Sequence, residues 1–372
     1  MKISHIGNLK SGIDTYVRNT VAQTDERFEF VIVNGADDNS KPYIRKGKAL
    51  RNYKICMYRV LNPFKDLKAV MQTVRIIKKE RPDVVHCHSA KGGMIGRIAA
   101  FLTGTKAFYT PHAFSFLSAE SRKKQAVFLA LEKMARLNST MLACSDSERL
   151  LGIRKVGYRE ENAKVWCNSI PAISESDIKT PENLNPEEKF IISIGRPSYQ
   201  KNPLLIVETM RLVHERHPDI KFYLVGVGFY SPMMNEMNAL ANRYGLSDVI
   251  KLVPWLSHEE TLGFLKQAIM YMTTSLYEGL PIAVLEAMAM GKAIVSSNVI
   301  GNKDCVKDGF NGYLLPNEAS LFAEKVCELI ENETLRKKMG YNSLSYFNKQ
   351  FNIKNRIAAL EQIYLSILSR EK

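Results

Sequence analysis

Two pairs of charged residues, about 80 positions apart, have the types and spacing to hold a phosphorylated ligand. The first lies in SIGRPSYQKN (193–202), where an apolar strand ends at Gly195 and Arg196 and Lys201 follow at a spacing of five. Pro203 then takes the first position of a helix, where its missing N–H costs nothing. Two cations beside a helix N-terminus make an anion site suited to a diphosphate. By themselves they read more readily as surface residues capping a turn.

The second pair lies in TSLYEGLPIAVLEAMAMGKAIVSS (274–297), with Glu278 and Glu286 eight residues apart. Pro281 opens a helix there and Gly291 closes it. Glu278 precedes that helix, and Glu286 lies inside it between Leu285 and Ala287, where a buried helix would normally exclude a carboxylate. Helical geometry turns the two by roughly 80°, so both can face one side. A carboxylate accepting from two vicinal hydroxyls is a ribose clamp, and the second suits sugar hydroxyls. The amides of Leu280, Pro281's successor Ile282, and Ala283 would lie at the helix start, facing phosphate. The plainer alternative is a capping glutamate plus a structural one.

These loops need elements to position them, and strands alternate with helices along the chain. MKISHI (1–6), FEFVIVNG (28–35), DVVHCH (83–88), KAFYTPH (106–112) and MLACS (141–145) read as strands, as do KFIISIG (189–195), KFYLVG (221–226), VIKLVP (249–254), YMTT (271–274) and KAIVSS (292–297). Such alternation predicts parallel sheets covered on both faces. IPAISESDIKTPENLNPEE interrupts it and reads as a linker over 171–188. The expected organisation is an α/β chain of two Rossmann-like, doubly wound domains, 1–170 and 189–351, facing a central cleft. An amphipathic helix at about 352–372 is expected to pack back on the first. Ligands of such sheets bind at the carboxyl ends of the strands, in the strand-to-helix loops.

GRPSYQKN followed by EGLPIAVLEAMAMGKAIVSS resembles the retaining glycosyltransferases of the GT-B fold, family 4. DVVHCHSAKGGMIGRIAA (83–100), YTPHAFSF (109–116), LACSDSER (142–149) and DGFNGYLL (308–315) are similar to further landmarks of that family, in the same order. The resemblance implies that Arg196 and Lys201 bind the donor diphosphate, Glu286 the ribose hydroxyls and Glu278 the donor sugar. It implies that Gly226 and Gly228, in LVGVG, let backbone approach the nucleotide, and that Gly12 sits opposite the phosphates. It makes His112 a contact to the donor sugar and Asn168 a structural end to the first domain. Two departures are a short N-terminal loop, NLKSGID, and Asp304 where relatives commonly carry glutamate.

The implied reaction moves a hexosyl or N-acetylhexosaminyl group from a nucleotide diphosphate sugar, with a UDP-sugar favoured, to a hydroxyl acceptor with retention. No Asp-x-Asp stands at a strand end and the cysteines lack metal-site spacing, so neither metal nor other cofactor is expected. His86 and His88 are taken to point to opposite sheet faces, which excludes a metal site from that pair and leaves His88 as acceptor-side lining. Rival readings are a sugar-nucleotide epimerase, a phosphorylase and a non-catalytic sugar-nucleotide sensor.

The net charge of +14 divides unevenly: residues 1–170 hold 30 Lys/Arg against 15 Asp/Glu, and 171–372 hold 22 against 23. The excess is densest in KPYIRKGKALRNYKICMYR (41–59), which has no acidic residue. An anionic membrane surface is the expected partner, with a glycan or lipid-linked acceptor of surface polysaccharide such as capsule or O-antigen. No nucleic-acid-binding motif accompanies the charge. Scattered cysteines, no membrane-spanning run and no signal-peptide core lead to the expectation of a cytoplasmic protein, peripheral at the inner face of the plasma membrane.

Overall fold

The computed structural model describes the chain apart from residues 59, 61, 183, 229 and 369–372. It divides into two units, Met1–Pro171 with Ile353–Lys372, and Ala172–Asn352. The first contains β1 (Lys2–Gly7), α1 (Gly12–Gln23), β2 (Glu29–Gly35) and a small antiparallel hairpin of β3 (Ile44–Arg45) and β4 (Lys48–Ala49). There follow β5 (Arg51–Ile55), α2 (Pro63–Glu80), β6 (Val84–His88), α3 (Ser89–Thr103), β7 (Lys106–Thr110), α4 (Arg122–Met134), β8 (Thr140–Ala143), α5 (Asp146–Leu151) and β9 (Ala163–Val165). Among the described residues the main sheet has seven strands in the order β5, β2, β1, β6, β7, β8, β9, all parallel. Its strands are short runs buried on both faces, as helices on either side of a parallel sheet require. β5 is an edge strand inside the basic run 41–59, and nothing in its RNYKI signals a strand by alternation.

The second unit contains β10 (Phe190–Ile194), α6 (Pro203–Arg216), β11 (Lys221–Val227), α7 (Met234–Arg243), β12 (Ile250–Pro254), α8 (His258–Gln267) and β13 (Met270–Thr273). It continues through α9 (Ile282–Ala289), β14 (Ile294–Ser297), α10 (Asn302–Cys305), β15 (Gly312–Leu315), α11 (Ala319–Glu331) and α12 (Glu333–Gln350). Its described sheet has six parallel strands in the order β12, β11, β10, β13, β14, β15. Phe222, Met270 and Ile191 pack with Leu205, Met210, Phe322 and Val326 to form a core on one face.

Strand order reverses at β1/β6 in the first sheet and at β10/β13 in the second. Loops leaving adjacent strands diverge at such switch points and open a crevice at the strand ends. The loop after β10 carries Arg196 and Lys201, and the loop after β13 carries Glu278. The topology therefore brings the two motifs to one place.

The last helix, α13 (Ile353–Ser366), packs in the first unit beside α1. Ile353, Leu360 and Tyr364 enter the core formed by Phe28, Phe108 and Trp166. Fully burying each such side chain stabilises by about 1.5–3 kcal/mol. On the same sheet face lie His5, His86 and His88. The opposite-face expectation for His86 and His88 is wrong: residues two apart on a strand share a face, and their ring centroids are 4.2 Å apart.

Candidate active site

The loop after β13 is fastened to the loop after β10. The Leu276 amide donates to the Gln200 carbonyl at 2.8 Å, and the Thr274 hydroxyl lies 2.9 and 3.0 Å from the carbonyls of Lys201 and Asn202. Glu278 sits on this junction, 6% exposed. Its Oε1 accepts from Lys201 Nζ at 2.7 Å and Ser275 Oγ at 2.8 Å, and Oε2 accepts from Gln200 Nε2 at 3.0 Å. Burial works against the Lys201 charge, but the adjoining Glu278 carboxylate raises its pKa above the ordinary lysine value. Lys201 is therefore a cation at neutral pH, neutralised by a side chain that an incoming anion can replace. Arg196 is exposed, with its guanidinium 5.0 Å from the centre of the Tyr230 ring.

Glu286 is the fifth residue of α9 and is 7% exposed. Its Oε1 lies 2.8 Å from Nε2 of His258, the first residue of α8. That hydrogen bond raises the His258 pKa, with burial opposing it. Among the described residues the second Glu286 oxygen has no protein partner, and Glu278 and Glu286 share none. The pair is thus two separate acceptors rather than one carboxylate dyad. Pro281 is the N-cap of α9, which begins at Ile282, and the amides at its start have no intrahelical carbonyl to meet. Leu280, just ahead of them, is buried.

Gly226 has φ +103, open to glycine at little cost and strained for other residues. A Cβ on Gly228 would come 2.5 Å from Cδ1 of Trp255, an indole that is 63% exposed. Asp304 accepts from the Gly301 amide at 3.2 Å, closing the turn whose Ile300 carbonyl takes the Glu278 amide at 3.0 Å. The aspartate is long enough for that turn.

In the first unit Gly12 opens α1, exposed, after β1. His112 follows β7 with φ +52, an unusual backbone for a histidine. The loop is held by Glu148, whose two oxygens accept from the amides of Ala113 and Cys144, each at 2.7 Å. His112 Nε2 is 3.0 Å from His88 Nδ1, and burial lowers its pKa to about 3. Asn168 is buried near the end of this unit.

His5, His86 and His88 bring one ring nitrogen each within 4.8 Å of the others, a grouping that the reading of opposite faces had excluded. Those nitrogens are largely committed. Thr110 donates to the Leu142 carbonyl, so it must accept from His86 Nε2, which leaves His86 Nδ1 to accept from Tyr364. His88 meets His5 through Nε2 and His112 through Nδ1. A metal would have to displace several of these bonds, so the cluster reads as a hydrogen-bonded one.

Residues 174–345 match the family described as Glycosyl transferases group 1, and residues 11–168 match the Glycosyl transferase 4-like domain. The two halves belong to these glycosyltransferase families. The glycosyltransferase chain is 29% identical to an Escherichia coli UDP-Gal:alpha-D-GlcNAc-diphosphoundecaprenol alpha-1,3-galactosyltransferase, over 83% of this chain and 82% of that one. It is 24% identical to the capsular polysaccharide biosynthesis glycosyltransferase CapM of Staphylococcus aureus, over 88% and 89% of the two chains. Sucrose-phosphate synthase from Thermosynechococcus elongatus superposes with a TM-score of 0.84 at 17% identity, covering 99% of both chains. HepE of Anabaena, solved with UDP and glucose, gives 0.76 at 19%, again over 99% of each. The glycosyltransferase has the GT-B fold.

Four side chains of the glycosyltransferase site were not singled out from its sequence. Gln200 and Ser275 bind Glu278, His258 binds Glu286, and Trp255 lies beside Gly228. Gln200 and Ser275 stood inside the quoted motifs, and their polarity next to charged neighbours was the available signal. His258 and Trp255 lie in a separate stretch, PWLSHEE, that only the folded sheet brings near.

Proposed function

We propose that the protein is a retaining glycosyltransferase of family 4. It takes a hexosyl or N-acetylhexosaminyl group from a UDP-sugar and passes it to a hydroxyl of a lipid-linked glycan in surface polysaccharide assembly. The carrying observation is the exchangeable contact of Lys201 with Glu278 on two loops fastened at a switch point. An arriving diphosphate takes Lys201 and Arg196, which offset the charge that grows on the leaving phosphate. Glu278, relieved of Lys201, accepts from hydroxyls of the sugar, and the open oxygen of Glu286 accepts from the ribose. Gly226, Gly228 and the start of α9 admit the nucleotide, Gly12 faces the phosphates, and His112 contacts the transferred sugar. Retention follows from same-face attack by the acceptor, with a phosphate oxygen taking its proton. Neither metal nor other cofactor is required. The named substrates of the Escherichia coli relative, UDP-Gal and a diphosphoundecaprenol-linked GlcNAc, support a UDP-sugar and a lipid-linked acceptor.

The protein works at the inner face of the plasma membrane, docked through its first unit. Among the described residues no helix is long and apolar enough to cross a membrane. The basic run 41–59 is largely engaged by the fold itself. Arg45 binds carbonyls of Thr24, Asp25 and Phe28, Arg51 pairs with Glu80, and Lys54 reaches the Asp38 carbonyl; Arg59 lies outside the described residues. The docking surface extends to α2, where Phe64, Leu67 and Met71 are 87%, 63% and 46% exposed in one stripe beside exposed Lys65, Lys68 and Arg75. Such a helix lies in a lipid interface. Lys65→Glu with Lys68→Glu is expected to weaken binding to anionic vesicles at least about fivefold per lysine at low salt. Unchanged binding would remove the docking proposal.

The function itself is tested by a donor screen. Purified protein is incubated with a panel of nucleotide sugars, with and without bacterial lipid extract, beside Glu286→Ala, and nucleoside diphosphate release is followed. Release from one donor that depends on acceptor and fails in the variant is expected. Donor binding without release would make the protein a sensor, and altered sugar without release an epimerase.

A further inference from the structure

The turn that leaves β12 puts a large aromatic side chain into solvent in the second unit. Trp255 follows directly on Pro254, and its amide donates to the Val227 carbonyl of β11 at 3.1 Å. The backbone is therefore fixed, while the residue is 63% exposed. Register between β11 and β12 shifts from Val225 to Val227, and an irregularity of this kind re-aims side chains at a strand end. Gly228 meets the indole: a Cβ there would come 2.5 Å from Cδ1 and 2.6 Å from Nε1 of Trp255. Ser231 closes the glycine's turn, its hydroxyl accepting from the Gly228 amide at 3.1 Å and donating to the Gly228 carbonyl at 2.8 Å.

Strand order sets where the indole stands relative to the charged groups. β12, β11 and β10 are successive neighbours in the sheet. Trp255 thus leaves the sheet about 10 Å, two strand spacings, from the start of the loop that carries Arg196 and Lys201. The interval is bare backbone, since a Cβ on Gly226 would lie 3.6 Å from Gly195 N, glycine facing glycine. His258, three residues after Trp255, holds Glu286 at 2.8 Å. A diphosphate on the two cations and a ribose on Glu286 leave one part of a nucleotide to be held on the β12 side, its base. Singly exposed aromatics are ordinary on a protein surface. This one is seated against a glycine, on the strand end where that base falls, and offers it a flat apolar ring.

We propose that the base of the donor nucleotide stacks on Trp255, and that Gly228 lacks a side chain because it seats the indole there. Gly228 then acts on the nucleotide through the ring beside it. Stacking on an aromatic side chain tolerates any base, because every base has a π-face. Trp255 accordingly contributes affinity, and the choice among bases lies with other groups. The inference rests on the reading of the second unit as a nucleotide-sugar site.

Trp255 is its own reporter, because the sequence has two tryptophans and the other, Trp166, is 1% exposed in the core of the first unit. UDP is titrated into the intact protein, with binding followed by calorimetry and by indole emission. Saturable quenching is expected in the parent and not in Trp255→Leu, where emission from Trp166 reports that the fold is kept. The Kd for UDP is expected to rise about 5- to 150-fold in Trp255→Leu, as loss of one base stack does elsewhere. Trp255→Phe should recover most of that loss. Inorganic pyrophosphate, which has no base, should bind the parent and Trp255→Leu alike. Gly228→Ala should weaken UDP binding in the parent and add less than about twofold in the Trp255→Leu background. UDP binding that is undiminished in Trp255→Leu overturns the inference and leaves the donor reading standing. An equal loss of UDP and pyrophosphate binding would mark damage to the anion site and overturn it as well. A Gly228→Ala loss that persists in full without the indole overturns the seating role. No UDP binding by the parent would overturn the donor reading, and the inference with it.

Discussion

Two buried glutamates stand near strand ends in the two units, and they are partnered in opposite ways. Glu148 accepts from the backbone amides of Ala113 and Cys144, groups that cannot turn away. Glu278 accepts from Lys201, Gln200 and Ser275, side chains that each have rotatable bonds to leave by. The first carboxylate fixes a loop, and the second keeps a cation available. A carboxylate tied to backbone is architecture, whereas one tied to a lysine beside an exposed arginine is a site waiting for an anion.

The contrast breaks most visibly if Lys201 is removed. Lys201→Ala is expected to lower kcat by about 100- to 1,000-fold, as loss of one donor to developing negative charge does elsewhere. Stability should fall far less, because Gln200 and Ser275 still hold Glu278. A kcat within tenfold of the parent would mean that Lys201 merely neutralises Glu278. Glu148→Gln should do the reverse. Two charge-assisted bonds to amides weaken, at about 1.5–3 kcal/mol each when lost outright, and Tm should drop by about 5–10 °C. Donor turnover at low temperature should survive. Loss of turnover with unchanged Tm would put Glu148 in the chemistry and end the comparison.

Much of this was legible in the residue pattern because parallel strands buried on both faces are short apolar runs with little alternation. The loops around Arg196, Lys201, Glu278 and Glu286 were legible because charged residues beside Pro and Gly at strand ends are conspicuous. Five strands were not: β3 and β4 are two residues each. β5 is polar and basic along its exposed edge, and β9 and β15 are three and four residues long. The partners of the carboxylates were hidden for a different reason. His258 reaches Glu286 across 28 positions, and such pairings follow from strand order rather than local periodicity. The histidine cluster was within reach, since His5, His86 and His88 all lie on strands and period two puts His86 and His88 on one face. Register then sets His5 opposite His86.

A smaller effect sharpens the contrast from the backbone side. Gly226 has φ +103, and a Cβ there would make only ordinary contacts, the nearest at 3.6 Å from Gly195 N. Gly226→Ala therefore costs conformational strain alone, about 1–3 kcal/mol. A matching Tm loss of a few degrees with donor KM raised less than tenfold is expected. A much larger rise in KM would show that the methyl itself meets the donor.

The smallest effect concerns His258, whose pKa is raised by its hydrogen bond to Glu286. A histidine with its folded-state pKa above the unfolded value of about 6.5 stabilises fully below that value and loses the contribution as pH rises through the folded pKa. The His258 side chain is 60% exposed, so solvent screens the pair and the gain stays at or below about 1 kcal/mol. The Tm difference between the parent and His258→Gln should be about 1–2 °C in mildly acidic buffer and should vanish in mildly alkaline buffer. A difference that persists unchanged at alkaline pH would show that the neutral imidazole suffices. Glu286 would then be held by a simple hydrogen bond rather than an ion pair, and a ribose would meet the same competition for it at every pH.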